Sequence, residues 1–413
     1  MNGGGTYGGL ADLLVIDRLE VGPARLEPQR ASIPYRVTAR GGTEAIDLVF
    51  RYDEPVFDPS SEGDRALASM LGAQVALNYG LFCREILFHG PFDEEDQRFL
   101  QRFAAHTARE IYVHRLLAPN PFLVEGVREL PVERRESYLQ ARVARASEGG
   151  SRRSWRWGAE PAPERHAVLS SGGKESLLSF GLLDELGREV HPVFVNESGR
   201  HWFTAMGAYR RFRREVPYTA RVWTNSDRVF SFMLRQLPFV RPDFSRLRSD
   251  AYPIRLWTVA VLVFAALPLM LRRGVGRLVL GCEHDTTIRA RHEGIPHRWG
   301  LYDQSRPFDA ALSRYFKAKG VPIAQFSLLR PLSELLVEKV LVERYPHLQR
   351  LQISCHAARV EGERVLPCGR CEKCRRIVGM LLALDADPGN CGYAENQVND
   401  CLGKLVANGV HQE

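Results

Sequence analysis

A short loop between residues 170 and 176 combines hydroxyl groups, glycines, a lysine and a glutamate. Its residues are Ser170, Ser171, Gly172, Gly173, Lys174, Glu175 and Ser176, between an apolar stretch and a helix-favouring one. Glycine lets the main chain approach an anion closely, and the first amides of a helix point towards it. The serine hydroxyls and the Lys174 ammonium add donors and charge. The loop therefore predicts a pyrophosphate cradle, although its spacing is neither Walker A nor G-x-G-x-x-G.

Four of the eight cysteines fall in one segment with the spacing C-x12-C-x2-C-x2-C: Cys355, Cys368, Cys371 and Cys374. Zinc takes four thiolates, and C-x2-C spacing lets two sulfurs reach one ion from a tight turn, which Gly369 permits. Metal binding is favoured over disulfides in a cytoplasmic chain, so we predict structural Zn²⁺. An iron–sulfur cluster, redox chemistry and ligation by His356 stay open. The other cysteines are expected to be ordinary packed or surface thiols: Cys83, Cys282, Cys391 and Cys401.

Three polar residues directly follow a predicted strand at 277–282. They are Glu283, His284 and Asp285. An open α/β sheet binds ligands at the carboxyl ends of its strands, so these residues are candidates for a general base. Asp285 is alternatively a Mg²⁺ ligand, and a helix cap or a solvated acidic turn is the competing interpretation for each.

The elements that must position these residues alternate between strand and helix. Strand candidates are 166–169, 190–195, 220–223 and 277–282, and helix candidates are 176–186 and 254–272. Such alternation predicts an α/β fold with a parallel sheet covered on both faces.

The chain before this pattern has a different character. A hairpin around Gly41-Gly42 and two helical patterns, the second beginning near Asp93, predict an N-terminal α+β module over 1–132. An Arg-, Gly- and Pro-rich stretch predicts a linker over 133–165. The nucleotide-binding domain is then expected over 166–350, and a zinc segment with C-terminal helices over 351–413.

Composition sets broad limits on the partners. The chain has 413 residues, 45% of them hydrophobic and 25% charged, which suits a soluble protein of two or three domains. The net charge of +7 favours anionic partners. Arginines around Trp155 and Trp157 leave RNA contact open, since both side-chain types stack on bases, and a solvated loop with packed tryptophans is the alternative.

One apolar stretch calls for a membrane test. Residues 256–271 are uncharged but number only sixteen and include Pro268, whereas a spanning helix needs about 20 residues. We therefore expect a buried core helix. Residues 1–9 lack the basic and apolar regions of a secretion signal, so the cytoplasm is the expected compartment.

The loop from Ser171 to Ser176 closely resembles the SGG-x-[DE]-S loop of the PP-loop ATP pyrophosphatases, which are adenine nucleotide alpha hydrolase-like proteins. That family includes tRNA thiolases, 7-cyano-7-deazaguanine synthase, and asparagine and GMP synthetases. A four-cysteine cluster after the PP-loop domain is similar to that of 7-cyano-7-deazaguanine synthase. Blocks at 283–284, 326–335, 354–355 and 368–375 resemble UDP-N-acetylmuramoyl-L-alanyl-L-glutamate epimerases, in a patchy match over about 166–385.

The resemblance implies a five-stranded parallel sheet of the PP-loop (HUP) kind. It further implies that ATP, with Mg²⁺, is cut between its α and β phosphates and that AMP passes to a substrate. Lys174 is then a catalytic and ATP-binding candidate. Ribose or adenine contacts are implied at Asn196 and Glu197, and a phosphate or carboxylate contact at Arg330. Glu175 replaces the usual aspartate, which keeps the charge but lengthens the reach.

Three classes of function follow. The first is a carboxylate-activating enzyme: an epimerase, in which adenylation of a glutamate acidifies its Cα–H, or an amide- or nitrile-forming ligase. The second is a tRNA-base-modifying enzyme, and the third a non-enzymatic ATP-binding protein with a decayed loop. We predict the first class, with a small-molecule carboxylic acid as the substrate, tRNA as the second choice of partner, and a homodimer left open.

Overall fold

The computed structural model describes residues 7–146, 154–199, 201–247, 254, 258–355, 357–362 and 364–408. The contacts between residues divide the chain into two compact units, each made of three segments. The first unit comprises Met1–Trp157, Thr224–Leu269 and Arg289–Pro322, and the second comprises Gly158–Trp223, Met270–Ile288 and Ile323–Glu413. The units are thus discontinuous in sequence, whereas the predicted division at 132, 165 and 350 is continuous and stays a prediction.

Within the described ranges the strands are, in chain order, β1 (Ile16–Val21), β2 (Arg25–Glu27), β3 (Arg30–Ala39), β4 (Gly42–Tyr52), β5 (Cys83–Phe88), β6 (Arg142–Arg145), β7 (Ala162–Leu169), β8 (Glu189–Asn196), β9 (Ala220–Thr224), β10 (Val275–Val279), β11 (Arg289–His292), β12 (Ile295–Arg298), β13 (Ala324–Phe326), β14 (Arg359–Glu361) and β15 (Arg364–Leu366). The α-helices there are α1 (Glu62–Ala76), α2 (Glu94–Ile111), α3 (Glu125–Arg128), α4 (Lys174–Glu185), α5 (His201–Glu215), α6 (Ser226–Arg235), α7 (Val259–Arg273), α8 (Arg306–Ala318), α9 (Glu334–Arg344), α10 (Pro346–Gln349), α11 (Glu372–Ala383) and α12 (Glu395–Asn408).

The second unit is built on a parallel sheet. Among its described residues, five strands pair in the order β13-β10-β7-β8-β9, each parallel to its neighbour. The chain starts at the central strand β7, moves outwards through β8 and β9, and then returns to β10 on the other side of β7. The loops after β7 and β10 therefore leave in opposite directions, and such a switch point opens a crevice at the carboxyl ends of the strands. The predicted α/β class is confirmed, with parallel strands at the core of a larger sheet that also contains antiparallel pairs.

Local sequence explains the central elements of this unit. Five consecutive residues of strand β8, from Val190 to Phe194, are buried, as expected for a strand covered on both faces. Helix α4 ends where Gly187 adopts a left-handed φ of +64°. The Gly187 amide donates to the Asp184 carbonyl, and the Arg188 amide donates to the Leu183 carbonyl. These two hydrogen bonds form the Schellman pattern that ends many helices. The apolar face of α4 packs in the core with β7, β8, α5 and α9.

The first unit has a mixed sheet in the order β4-β3-β1-β5-β6, with β2 beside β3. The predicted hairpin is confirmed: β3 and β4 are antiparallel, and Ala39 pairs with Gly42 across the turn. The predicted helices are α1 and α2, and Asp93 caps α2 in a reciprocal box with Asp96. Residues 142–145 of the predicted linker form β6, and Trp155 is buried. Residues 147–153 of that stretch lie outside the described residues.

From Val259 onwards the apolar stretch lies in α7, with Pro268 inside the helix. Residues 256 and 257 lie outside the described residues. Its side chains from Val263 to Leu267 are fully buried, which confirms the expected core helix. Among the described residues, no helix combines the length and the apolar character needed to span a membrane.

Candidate functional site

The predicted phosphate loop leaves β7 at the switch point and enters α4. Gly172 has a φ of +75°, and a Cβ at this position would lie 2.7 Å from the Thr204 carbonyl oxygen of α5. Both the backbone conformation and the close approach therefore require glycine. The Ile353 amide donates to the Gly172 carbonyl at 3.0 Å, and the Ser176 hydroxyl donates to the Gly173 carbonyl at 3.0 Å. The shape of the loop is thus fixed by a hydrogen bond within it, from Ser176, and by one from Ile353 in the segment before the cysteine cluster.

The start of α4 suits an anion. Gly173 is the N-cap, and in the part of the chain that the structure describes no side chain caps this helix end. The first amides of a helix have no intrahelical acceptors and carry the positive end of the helix dipole. A glycine loop leading into such an end is a general arrangement for binding phosphate.

Lys174 is buried beside this loop and paired with two carboxylates. Its ammonium contacts Glu175 and lies 2.8 Å from the Glu334 carboxylate at the start of α9. Glu334 is also 3.2 Å from the guanidinium of Arg376 on α11. Burial alone would lower the pKa of Lys174, but the charges of Glu175 and Glu334 outweigh it and raise the pKa above its usual range. Lys174 is therefore held as a cation.

Two further carboxyl groups, those of Glu283 and Glu338, lie near enough to Lys174 and Glu175 for the charges to interact. Burial, followed by the charge of Glu175, raises the pKa of Glu283 to about 7. Burial likewise raises the pKa of Glu338 to about 7, although Gln352 donates to one of its oxygens at 2.9 Å. We call the four acidic residues the glutamate cluster: Glu175, Glu283, Glu334 and Glu338. Burial is the main cause of both rises, and the negative charge of the neighbouring carboxylates adds to it, so Glu283 and Glu338 are pushed towards the protonated form.

A glycine also lets β10 approach the loop. Gly281 follows β10, and a Cβ there would lie 2.5 Å from the Glu175 Cβ and 3.1 Å from the Ser176 nitrogen. The chain can therefore bring Glu283 close to the start of α4 only because residue 281 has no side chain.

The other candidates after β10 are more exposed. His284 and Asp285 approach each other at 3.5 Å, with side chains 64% and 36% exposed. Arg330, which follows β13, donates to the Thr286 hydroxyl at 2.7 Å and so secures the turn that carries Glu283. Its contact with a phosphate or carboxylate stays a prediction.

Asn196 and Glu197 lie at the end of β8, on the same edge of the sheet. The Asn196 side-chain oxygen accepts from the Ser198 amide at 2.9 Å. The predicted polar site residues therefore follow four of the parallel strands: β7, β8, β10 and β13. The structure brings Lys174, Glu175 and Glu283 together and places the others along that edge.

Sequence analysis missed Glu334 and Glu338. Helix α9 begins after Ser333, whose hydroxyl accepts from the Leu336 amide. Residues four apart lie on the same face of a helix, so Glu334 and Glu338 project together. The sequence does contain this signal, because the two glutamates flank the apolar run from Leu335 to Val337.

The four predicted zinc ligands converge. Their sulfur atoms all lie within 4.8 Å of one another, with Cys371 to Cys374 at 3.4 Å, Cys368 to Cys374 at 3.8 Å and Cys371 to Cys355 at 3.9 Å. Four thiolates about 2.3 Å from a tetrahedral zinc ion lie about 3.8 Å apart, so the sulfurs fit zinc. The four-cysteine cluster is confirmed as a group that can hold a metal. His356 lies outside the described residues. The remaining cysteines are buried: Cys83, Cys282, Cys391 and Cys401.

The surrounding chain supports the cysteine cluster. The amides of Ala357 and Cys368 donate to the Cys355 sulfur at 3.3 and 3.2 Å. Gly369 turns the chain with a φ of +68°, and Gln397 of α12 donates to the Cys368 carbonyl at 3.3 Å. Donors to a ligand sulfur stabilise thiolate and orient it, as outer-shell groups do in metal sites.

The cysteine cluster is tied to the phosphate loop at two points. Ile353, which donates to Gly172, lies two residues before Cys355. Arg376, which pairs with Glu334, lies two residues after Cys374. Order in the cysteine segment therefore bears directly on the geometry of the loop.

No protein-family model matches the chain, and no curated protein sequence matches it.

Proposed function

We propose that the second unit binds ATP with Mg²⁺ and transfers its AMP moiety to a carboxylate substrate, so that a carboxylate oxygen bonds to the α phosphate and pyrophosphate leaves. Attack by water on the acyl adenylate then releases AMP and restores the carboxylate. The observation that carries this proposal is the glycine loop at the switch point, where Gly172 turns the chain into the uncapped start of α4. A sheet of this strand order binds its ligands at that place. The loop sequence and the strand order together fit the PP-loop ATP pyrophosphatases.

The charges near the loop are consistent with a metal–nucleotide complex. The negative charges of Glu175 and Glu334 beside the loop would repel a triphosphate unless cations intervene. Mg²⁺ prefers carboxylate and phosphate oxygens, and Glu175 and Asp285 are the residues that would hold it. Bound Mg²⁺ would neutralise charge on the phosphates. Lys174 is fixed against Glu175 and Glu334 and supplies a second positive charge beside the loop.

Glu283 supports epimerisation as the outcome. Adenylation removes the negative charge of a carboxylate and so acidifies the neighbouring C–H bond. A base is most effective when its pKa lies near the working pH, and Glu283 has a pKa of about 7. His284 and Asp285 are more exposed and are weaker candidates. The site thus offers a base for Cα–H, which favours an epimerase over an amide- or nitrile-forming ligase.

The test incubates the protein with ATP, Mg²⁺ and peptides ending in L-glutamate, in D₂O without ammonium. We expect AMP and pyrophosphate together with deuterium at the glutamate Cα. Glu283→Gln should still form AMP but lose deuterium incorporation at least about a hundredfold, as expected for removal of a general base. Glu343→Gln, an exposed substitution on α9, is the matched control.

Other outcomes separate the alternatives. AMP formed only with ammonium would indicate amide or nitrile formation, and AMP formed only with tRNA would indicate base modification. ATP binding without any AMP would indicate a non-enzymatic protein. In wild type, the exchange rate should rise with pH through about 7, because Glu283 must be deprotonated to accept the proton.

A further inference from the structure

The segment that carries the cysteine cluster also places a hydroxyl group beside the phosphate loop. A Cβ at Gly173 would lie 3.4 Å from the Ser171 hydroxyl oxygen and 3.7 Å from that of Ser354. The same point would lie 3.2 Å from a carboxylate oxygen of Glu175. These groups border a space that exists because residue 173 has no side chain. Ser354 directly precedes Cys355, and within the described residues its hydroxyl has no hydrogen-bond partner.

Helix α11, which follows the cysteine cluster, adds a positive charge next to the loop. The Arg376 Nε lies 3.2 Å from one carboxylate oxygen of Glu334, and the Lys174 ammonium contacts the same oxygen at 2.8 Å. The two nitrogens are therefore no more than 6.0 Å apart. One carboxylate oxygen thus holds two cations beside the start of α4.

The contact with Glu334 leaves Arg376 incompletely paired. Its Nε is buried, yet among the described residues it donates no hydrogen bond in spite of the 3.2 Å approach. Buried donors in folded proteins almost always have an acceptor, which is a bound water, an ion or a ligand where the protein supplies none. The Arg376 guanidinium is therefore placed to accept a better partner than Glu334.

The charges near the start of α4 limit how such a partner can bind. The cations are Lys174, Arg376 and, within range of the Glu175 charge, Lys373; the carboxyl groups are Glu175, Glu334, Glu283 and Glu338. Positive and negative charges are close to balanced. An anionic ligand can therefore bind Lys174 and Arg376 only by replacing Glu334 between them, with Mg²⁺ offsetting the rest of its charge.

We propose that Ser354 and Arg376 bind the outer phosphates of a nucleoside triphosphate, whose oxygens replace the Glu334 carboxylate on Arg376 and Lys174. These two residues thereby extend the proposed ATP site, on which this assignment rests, into the cysteine segment. A hydroxyl donates to a phosphate oxygen, and a guanidinium grips two such oxygens with paired donors. A carboxylate oxygen held by the same two cations marks a position that suits an anionic oxygen.

A purely structural role for Arg376, as a brace for Glu334, predicts the opposite result for one variant. If phosphate replaces Glu334, then Glu334→Gln removes a competing anion and tightens phosphate binding. The gain should be about threefold, the effect of one unit charge about 6 Å away in water. If Glu334 is only braced, its loss frees Lys174 and weakens binding.

The test is calorimetric titration of the full chain with inorganic pyrophosphate and, separately, with ATP, both with Mg²⁺. We expect Arg376→Gln to weaken the binding of both ligands at least about tenfold, as for loss of a charge-assisted hydrogen bond. Ser354→Ala should weaken it about threefold or more. Arg375→Gln is the charge-matched control on the same helix, because its guanidinium donates to the Arg370 carbonyl at 3.3 Å.

Unchanged affinity for ATP and pyrophosphate in both Arg376→Gln and Ser354→Ala would overturn the assignment and leave the proposed function standing. Weaker binding in Glu334→Gln would also overturn it, in favour of the brace. Pyrophosphate binding that depends on Arg376 and Ser354, in a chain that does not bind ATP, would support the site and contradict the proposed function. A wild-type chain that binds neither ligand would contradict both.

Ser354→Ala keeps the assignment testable if Arg376→Gln does not fold. It removes a hydroxyl that has no partner within the described residues, so the fold should not depend on it. Thermal unfolding of each variant establishes which of them are folded.

Discussion

The cysteine cluster and the glutamate cluster lie in the same unit but are assembled in different ways. The four sulfurs come from one segment between Cys355 and Cys374. The glutamates come from three distant segments, after β7, after β10 and in α9, and they come together only when α9 packs in the same core as α4 and the sheet. Arg376, two residues after Cys374, contacts Glu334 of the glutamate cluster, and Ile353, two residues before Cys355, contacts Gly172 of the phosphate loop. The cysteine cluster can therefore support both. We therefore expect damage to the cysteine cluster to reach the loop.

The largest effect should come from removing a metal ligand. Structural zinc in small domains binds with an apparent free energy of about 10 kcal/mol, so Cys371→Ser should destabilise the second unit by about 4 kcal/mol or more. It should abolish bound zinc, and it should weaken ATP binding because Ile353 would no longer support Gly172. Elemental analysis, thermal unfolding and ATP titration measure these three effects.

Cys401→Ser is the matched control for this variant. Cys401 is buried and its sulfur lies 3.3 Å from the Gly369 carbonyl, but it is not one of the four converging thiols. We expect it to keep its zinc. ATP affinity that stays constant in Cys371→Ser while zinc is lost would show that the two clusters are independent.

The difference in assembly also explains what could be predicted from the sequence. The cysteine site follows from spacing alone, and β7, the loop and α4 follow from a contiguous strand–glycine–helix pattern. Glu334 and Glu338 could not be placed, because their proximity to Lys174 depends on how α9 packs after β13. The role of Arg376 depends on the same packing. The contacts of Glu334 with Lys174 and Arg376 join residues far apart in the sequence, so they could not be predicted from it.

The discontinuous units show the same limit. The hairpin at 289–298 belongs with the first unit, yet its local pattern does not differ from that of an inserted loop. Strand β6 could not be predicted within a stretch rich in arginine and glycine, because it pairs with β5, whose residues lie 57 positions earlier in the chain (Glu85 pairs with Arg142). Local composition describes a segment but does not identify the partner on which it packs.

A second comparison, between two glycines, tests whether the loop is as constrained as its geometry indicates. Gly172 and Gly187 both have left-handed φ values, +75° and +64°, but a Cβ at Gly187 would meet nothing within 4 Å. Gly187→Ala should therefore cost only the conformational term of about 1 kcal/mol. Gly172→Ala adds a clash with the Thr204 carbonyl and should cost about 3 kcal/mol, with ATP affinity at least about a hundredfold lower.

Urea unfolding and ATP titration of both variants measure this contrast. Because both glycines have a left-handed φ, the strain in backbone conformation is common to the two variants. The difference between their losses of unfolding free energy therefore measures the clash of the new Cβ at residue 172. Similar losses in the two variants would mean that α5 can move away from the loop. Unchanged ATP affinity in Gly172→Ala would remove the main support for the phosphate cradle.

A further effect concerns Glu338 and is confined to one side of the pH range. Its pKa rises from an ordinary value of 4.5 to about 7 in the folded state, chiefly through burial. The folded protein therefore binds this proton more tightly than the unfolded chain does. The resulting stabilisation is complete below about pH 4.5 and is lost as pH rises through about 7.

Glu338→Gln keeps the shape of the protonated carboxyl but cannot ionise. We expect the variant and wild type to have similar unfolding free energies near pH 4.5, and the variant to be more stable by about 3 kcal/mol near pH 8. Glu343→Gln, exposed on the same helix, should show no such trend. Urea unfolding across this pH range measures the difference. A Glu338→Gln variant that is less stable than wild type at high pH would contradict this prediction. It would show that the charged Glu338 carboxylate stabilises the fold beside Lys174, and that this attraction outweighs the effect of burial on the pKa of Glu338.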